Sequence, residues 1–293
     1  RSPSRGLGDV YKRQVFFSEE GTSTLYGYRY FDNIRERKLA SWFKWTLTGT
    51  IQYHCMQDDN LYVVVDNNGK HQLLKYGIKM DANTFALAEN RVHLDHLMTT
   101  SGWTYSATTG KSTKAKPTGL ESTNQLVAYD NSNNSSGIEN LGRYGAITIN
   151  GSNMELDGDW SGETFLIGYQ FTMQIDLPTI YVTRLEGESY KADSRANTVL
   201  HRVKFAFGPV GIYETTLNRI GKDTYTELFE VSNANQYLAN TASILEDNNL
   251  RSVPIYDRNT NVALSVKSTH PAPANILYMT WEGVYNNNFY TRV

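Results

Sequence analysis

Apolar and polar residues alternate along much of the chain with a period of two. VFFSEEGTSTLYGYRYF (Val15 to Phe31) and VVVDNNGKHQLLKYGIK (Val63 to Lys79) each read as strand, polar turn with a glycine, strand. KLASWFKWTL and TIQYHCMQ lie between them and read as two more strands. Such alternation predicts strands with one face buried. The turns EEGTS and DNNGK suit hairpins, and Asn-Gly supplies the positive φ angles that a tight turn needs. GAITI, TFLIGYQFTMQI, TVLHRVKFAF, VGIYETTL, VPIYDR, VALSVKST and ILYMTWEGVY continue the pattern. It is clearest in VALSV and TMQI, which predicts antiparallel pairing with one solvated face. Gly208-Pro209 reads as the turn of a hairpin between TVLHRVKFAF and VGIYETTL. Residues 233–246 are the one candidate for a short helix.

The first hundred residues carry a repeat. Gly21 and Gly69 stand 48 positions apart, as do Leu25 and Leu73, Tyr28 and Tyr76, and Phe17 and Val65. About four strands fill that period, which is the signature of a β-propeller blade. The fold class expected is therefore all-β: propeller-like blades of antiparallel strands over 15–100, then a C-terminal antiparallel β region over 141–293. Between them, 101–140 is rich in Ser, Thr, Asn and Gly and reads as a loop-rich insertion around the short strand QLVAY.

Composition adds bounds. The 293 residues include 20 Tyr, 22 Gly and 7 Pro, with a formal net charge of −2. No apolar run approaches the roughly 20 residues of a membrane span. The single Cys55 forms no intrachain disulfide, so no secreted disulfide framework is indicated. Residues 1–14 (RSPSRGLGDVYKRQ) show no apolar period and no signal-peptide core. SRGLGDVYKRQ reads as the translation of a sequencing-library adapter, so 1–14 are expected to lie outside the fold. The natural chain is then expected to start at Val15, with an N-terminal part missing. Without those residues the net charge becomes −5, which argues against a basic nucleic-acid-binding face.

The motifs of chemistry each lack a required residue. TTGKST needs a glycine five positions before Gly110 to cradle phosphate, but Tyr105 stands there. His93 and His96 flank Asp95, but on a strand the two rings would face opposite ways and no third ligand is evident. Asp157, Gly158 and Asp159 open like a calcium loop without its later acidic ligands, and read as a turn. Cys55, in YHCM, reads as a small buried side chain. Asn134 and Asn150 match glycosylation sequons, which carry no meaning without secretion. Trp42, Trp45, Tyr53 and Tyr62 would suit stacking on sugars, but strand packing needs such aromatics too. No catalytic, cofactor or metal residue is therefore assigned.

An ordered series of strings resembles one family, the podovirus tail nozzle proteins (tail tubular protein B). Its propeller segment is matched by Trp42, Trp45, Gly49, Asp58, Asp59, Leu61 and Tyr62 in KLASWFKWTLTGTIQYHCMQDDNLYVVV. VHLDHLM resembles the short strand that closes that segment. GDWSGETFLIGYQFTMQIDLP, with Gly168, Tyr169 and Phe171, resembles its glycine-rich turn and aromatic strand, and RVKFAFGPVGIYETTL the strand pair that follows. Pro254, His270, Pro271, Pro273, Trp281, Glu282, Gly283 and Tyr285 follow the family's C-terminal order. The likeness spans Val15 to Val293 and is patchy over 101–140. It implies a virion structural protein without enzymatic activity or cofactor. Its copies would form a hexameric ring in the phage tail, meeting the tail adaptor, tail fibres and host surface. Phage DNA would cross the lumen unbound. A monomer should then expose apolar patches at future contacts. The alternative is a propeller-based carbohydrate-binding module or phage depolymerase.

Overall fold

The computed structural model describes residues 7–9, 14–32, 37–58, 60–78, 92–130, 143–186, 189–194, 196–229 and 249–286. Its regular elements there are strands, apart from a 3-10 turn at Asn259–Asn261. The candidate helix at 233–246 lies outside the described residues. The chain divides into two units, one built from 1–86, 94–128 and 145–170, the other from 87–93, 129–144 and 171–293.

The first unit opens with an antiparallel meander of β1 (Leu7–Asp9), β2 (Gln14–Ser18), β3 (Thr24–Asp32) and β4 (Arg37–Thr46). Leu7–Asp9 pair with β2, Leu7 opposite Phe16. These three residues therefore belong to the sheet, against the expectation that 1–14 stand outside the fold. Val10 and Tyr11 lie outside the described residues. A second meander follows: β5 (Thr50–Gln57), β6 (Asn60–Asn67) and β7 (Lys70–Gly77). Strict alternation along β6 buries Leu61, Val63 and Val65 completely. They share one core with Phe16, Leu25, Leu47 and Ile51, so the two sheets meet face to face. Gly27 lies between Phe16 and Phe43 in register, and a Cβ there would run into the Phe43 ring.

Both repeat segments are hairpins, but their turns differ. Asn68 (φ 54°) and Gly69 (φ 80°) close a two-residue turn of the left-handed kind that matches strand twist. Gly21 (φ 78°) sits instead in the longer loop between Ser18 and Thr24. The 48-residue offset marks two hairpins with a shared core, not one turn repeated.

The rest of the unit is a seven-stranded sheet in the order β8 (Asp95–Thr100), β14 (Phe165–Tyr169), β11 (Leu126–Tyr129), β12 (Tyr144–Asn150), β13 (Asn153–Asp157), β10 (Lys111–Ala115), β9 (Thr104–Ser106). Its core holds Trp103, Leu126, Met154, Trp160 and Phe165. The segment expected as loops around one short strand thus supplies β9 and β10 as well as the expected β11. TTGKST closes the β9–β10 hairpin, and Ser112 turns inward to donate to Gly158 O at 2.8 Å. The described part of 101–140 belongs with this sheet, as do residues up to 170.

The second unit holds a sheet of β15 (Met173–Asp176), β22 (Val262–Ser268), β19 (Tyr213–Arg219) and β20 (Tyr225–Phe229), and the small hairpin β16 (Thr183–Glu186) with β17 (Ser189–Ala192). In its third sheet, β18 (Asn197–Val210) runs between β21 (Asn249–Arg258) and β23 (Ala274–Asn286). Gly208-Pro209 is not the turn expected from the sequence. β18 continues through it to Val210, with a bulge that accommodates a residue lacking an N–H donor. β19 then pairs with β20 and β22, so the chain changes sheet there. Val203, Phe205 and Phe207 of β18 share a core with Tyr213, Leu217, Val253 and Val266.

Candidate interaction surface

Inward residues of β2, β3 and β4 are Phe16, Leu25 and Phe43, so the pleat turns their neighbours outward. The outer face then carries Val15 and Phe17 on β2, Tyr26, Tyr28 and Tyr30 on β3, and Trp42 and Lys44 on β4. Tyr28 stands opposite Trp42, with ring centroids 4.6 Å apart. Phe17 lies 5.9 Å from the same indole and Tyr30 5.7 Å from Tyr28. The rings form one ladder across three strands, in which Trp42 is 65% exposed.

The second sheet is built the same way. His54, Met56, Leu74 and Tyr76 face inward, which sends Tyr53, Cys55, Tyr62, Val64, His71, Leu73 and Lys75 outward. Leu73 is 67% exposed. Because the two sheets meet through their inner faces, these apolar outer faces look in opposite directions.

A polar joint fixes this pair of sheets to the seven-stranded sheet. Asp95 is buried and accepts hydrogen bonds from Thr48 N (2.7 Å), Tyr76 Oη (2.7 Å) and His96 N (3.0 Å). His96 Nδ1 stands 3.3 Å from the same carboxylate, close enough for ion pairing but without hydrogen-bond alignment. Burial alone would raise the Asp95 pKa. Its contacts with His96, Tyr76 and Thr48 outweigh burial and bring it below the ordinary value. The phenol of Tyr76 is shifted strongly upward, first by burial and then by that carboxylate. The β14 bulge at Gly168 makes room: a Cβ there would come within 2.7 Å of Asp95 O. Gln72 adds a bond to Gly119 O at 2.6 Å, and Lys70 pairs with Glu121 at 2.7 Å.

The residues flagged in the sequence fall as follows. His96 bonds Gln72 Oε1 through Nε2 at 2.9 Å, and His93 precedes β8. Among the described residues no group of three or more His, Cys, Asp or Glu is placed to hold a metal ion. Asp157 ends β13, and Asp159 Oδ1 accepts from Ser161 N at 2.9 Å in the turn that follows. Asn150 Nδ2 donates to Glu155 at 2.7 Å, and Asn134 lies outside the described residues. Cys55 is half-buried on the outer face of β5, not inside the core as expected. Of the flagged aromatics, Trp42, Tyr53 and Tyr62 face outward, whereas Trp45 turns into the core, 6.1 Å from the Tyr76 ring. Sequence reasoning named Phe17, Tyr28 and Leu73 only as repeat positions and passed over Tyr26. The signal was present as Tyr26, Tyr28 and Tyr30 at a period of two, which places three rings on one face.

The model of one protein family, described as bacteriophage nozzle protein, matches residues 12–292. No curated protein matches the chain.

Proposed function

The chain belongs to the bacteriophage nozzle protein family and is a structural component of the phage tail, and from that premise we propose that it acts by assembly alone, without catalysis. Copies join into a ring, six in number by the family resemblance, and the genome leaves through the lumen. One end meets the tail adaptor; tail fibres and the host surface are the remaining partners. The observation that carries this reading is the pair of apolar outer faces, led by Trp42 and Leu73. Side chains of this kind on a folded protein mark surfaces that another surface covers. The net negative charge suits a lumen along which phosphates slide, because tight phosphate contact comes from Lys and Arg.

Exposed aromatics also favour the second reading, a surface that stacks on sugars. Electron microscopy of virions labelled with an antibody against this chain separates the two. Label at the tail tip, with rings in disrupted virions, is the expected result. A protein absent from virions that cleaves a polysaccharide as a monomer overturns the proposal.

A further inference from the structure

We propose that the two outer faces of the paired N-terminal sheets are the two halves of one interface between copies of this chain. The Phe17–Tyr26–Tyr28–Trp42 face of one copy seats on the Tyr53–Tyr62–Leu73 face of the next. This rests on the assembly reading above and gives it a place and a direction.

Three observations select a second copy as the occupant. First, the faces point away from each other, so a two-fold dimer through either one leaves the other bare. Head-to-tail contact covers both and is the geometry that closes into rings. Second, the areas suit. The 24 residues of β2–β4 and the 24 of β5–β7, with about 4.8 Å between strands and about 3.4 Å per residue, each present about 400 Å² in projection, so the two faces match in size. Together they bury about 800 Å², the size of a weak contact, which a closed ring offsets because each protomer uses it twice. Third, the faces are complementary in kind. The first carries a ring ladder with Lys44; the second carries Tyr53 and Tyr62 with Asp66 and Lys75. Each lysine finds aromatic rings on the opposing face, and Asp66 offers Lys44 a counter-charge.

The test uses the whole chain and two substitutions, Trp42→Asp and Leu73→Asp, followed by sedimentation velocity. The unsubstituted chain is expected to form species larger than a dimer, and each variant alone to lose them. An equimolar mixture of the two variants retains one good face of each kind, so it is expected to yield dimers and nothing larger. The milder Trp42→Gln and Leu73→Gln should weaken assembly in the same pairwise way, and near-UV circular dichroism confirms that each variant folds. Loss of assembly in only one variant would show a two-fold contact and overturn the proposal. Folded variants whose mixture stays monomeric would do the same. Full assembly by both variants also overturns it while leaving the ring reading intact. A monomeric parent chain gives the faces to another occupant, such as a different polypeptide or a polysaccharide. The tail location is judged separately, by labelling virions.

Discussion

The paired N-terminal sheets and the seven-stranded sheet belong to one unit and share strand geometry, yet they finish their outer surfaces differently. The seven-stranded sheet faces water with ion pairs and amides: Lys111 to Glu155 at 2.9 Å, and Asn150 to the same carboxylate at 2.7 Å. Its exposed apolar residues are single and lie on strands that are not neighbours: Leu97 on β8, Tyr105 on β9 and Ile149 on β12. The N-terminal sheets face water with contiguous rings and aliphatics. One surface is complete in a monomer. The other is the kind that association completes.

That contrast can be broken most forcefully by comparing two tryptophans. Trp160 is 1% exposed, stands 4.8 Å from the Phe165 ring, and donates its indole N–H to Asp157 O at 3.0 Å. Trp160→Ala is expected to cost about 3–5 kcal/mol in urea unfolding. Trp42→Ala should stay within about 0.5 kcal/mol for the monomer, as surface changes do. Equal losses at the two sites would erase the distinction between finished and unfinished surfaces.

The joint comes next. Asp95→Ala leaves the donors of Thr48, Tyr76 and His96 unmatched, at a cost of about 2–3 kcal/mol in the same measurement. Because the folded pKa of Asp95 is lowered, its contribution is present above the unfolded value near 3.9 and is lost as pH falls through the folded one. Asp95→Asn should therefore flatten the acid limb of stability below about pH 4. An unchanged limb would show that other carboxylates govern it.

The second unit should respond to milder acid. Burial lowers the His270 pKa to about 4, and Nδ1 accepts the Ala272 N–H at 3.0 Å, which fixes a neutral ring. A lowered histidine pKa gives stability that is full above the unfolded value near 6.5 and lost as pH falls toward 4. The loss is at most about 3 kcal/mol, since one pKa unit is about 1.4 kcal/mol. His270→Gln should reduce the slope between those pH values in thermal melts. An equally steep slope in the variant contradicts the assignment.

Much of this was legible in the sequence. Alternation located the hairpins of β2–β3 and β6–β7, and Asn68-Gly69 announced its own turn. The family resemblance rested on the spacing of motifs across the chain. QLVAY, GAITI and TFLIGY marked β11, β12 and β14 of the seven-stranded sheet, but its β9–β10 hairpin was hidden for physical reasons. β10 (KSTKA) fills its inward position with Ser112, a hydroxyl satisfied by Gly158 O, so no apolar period marks it. β11 (LVAY) is buried on both faces, so it was legible as the short apolar strand QLVAY without alternating. The Asp95 joint was invisible because Thr48 and Tyr76 lie 47 and 19 residues away along the chain. Gly208-Pro209 misled because a proline signals a turn in most settings but a bulge in this strand.

The smallest effect sharpens the relation between the two repeated hairpins. Gly21 and Gly69 adopt φ of 78° and 80°, and a Cβ at either would meet nothing within 4 Å. Alanine at each should therefore cost only the backbone penalty, about 1–2 kcal/mol. Urea midpoints should shift alike for Gly21→Ala and Gly69→Ala. A much larger loss at one would show that its turn carries more than the backbone conformation.

The most direct measurement needs no substitution. Cys55 is the chain's single cysteine and lies on the outer face of β5, opposite Tyr62. Its reaction with a maleimide can be timed in the assembled fraction and in the dispersed monomer of the same preparation. If the outer faces meet between copies, the assembled fraction reacts more slowly and regains the monomer rate on dilution. The same rate in both fractions would show that the face stays open in the assembly, and would contradict the account.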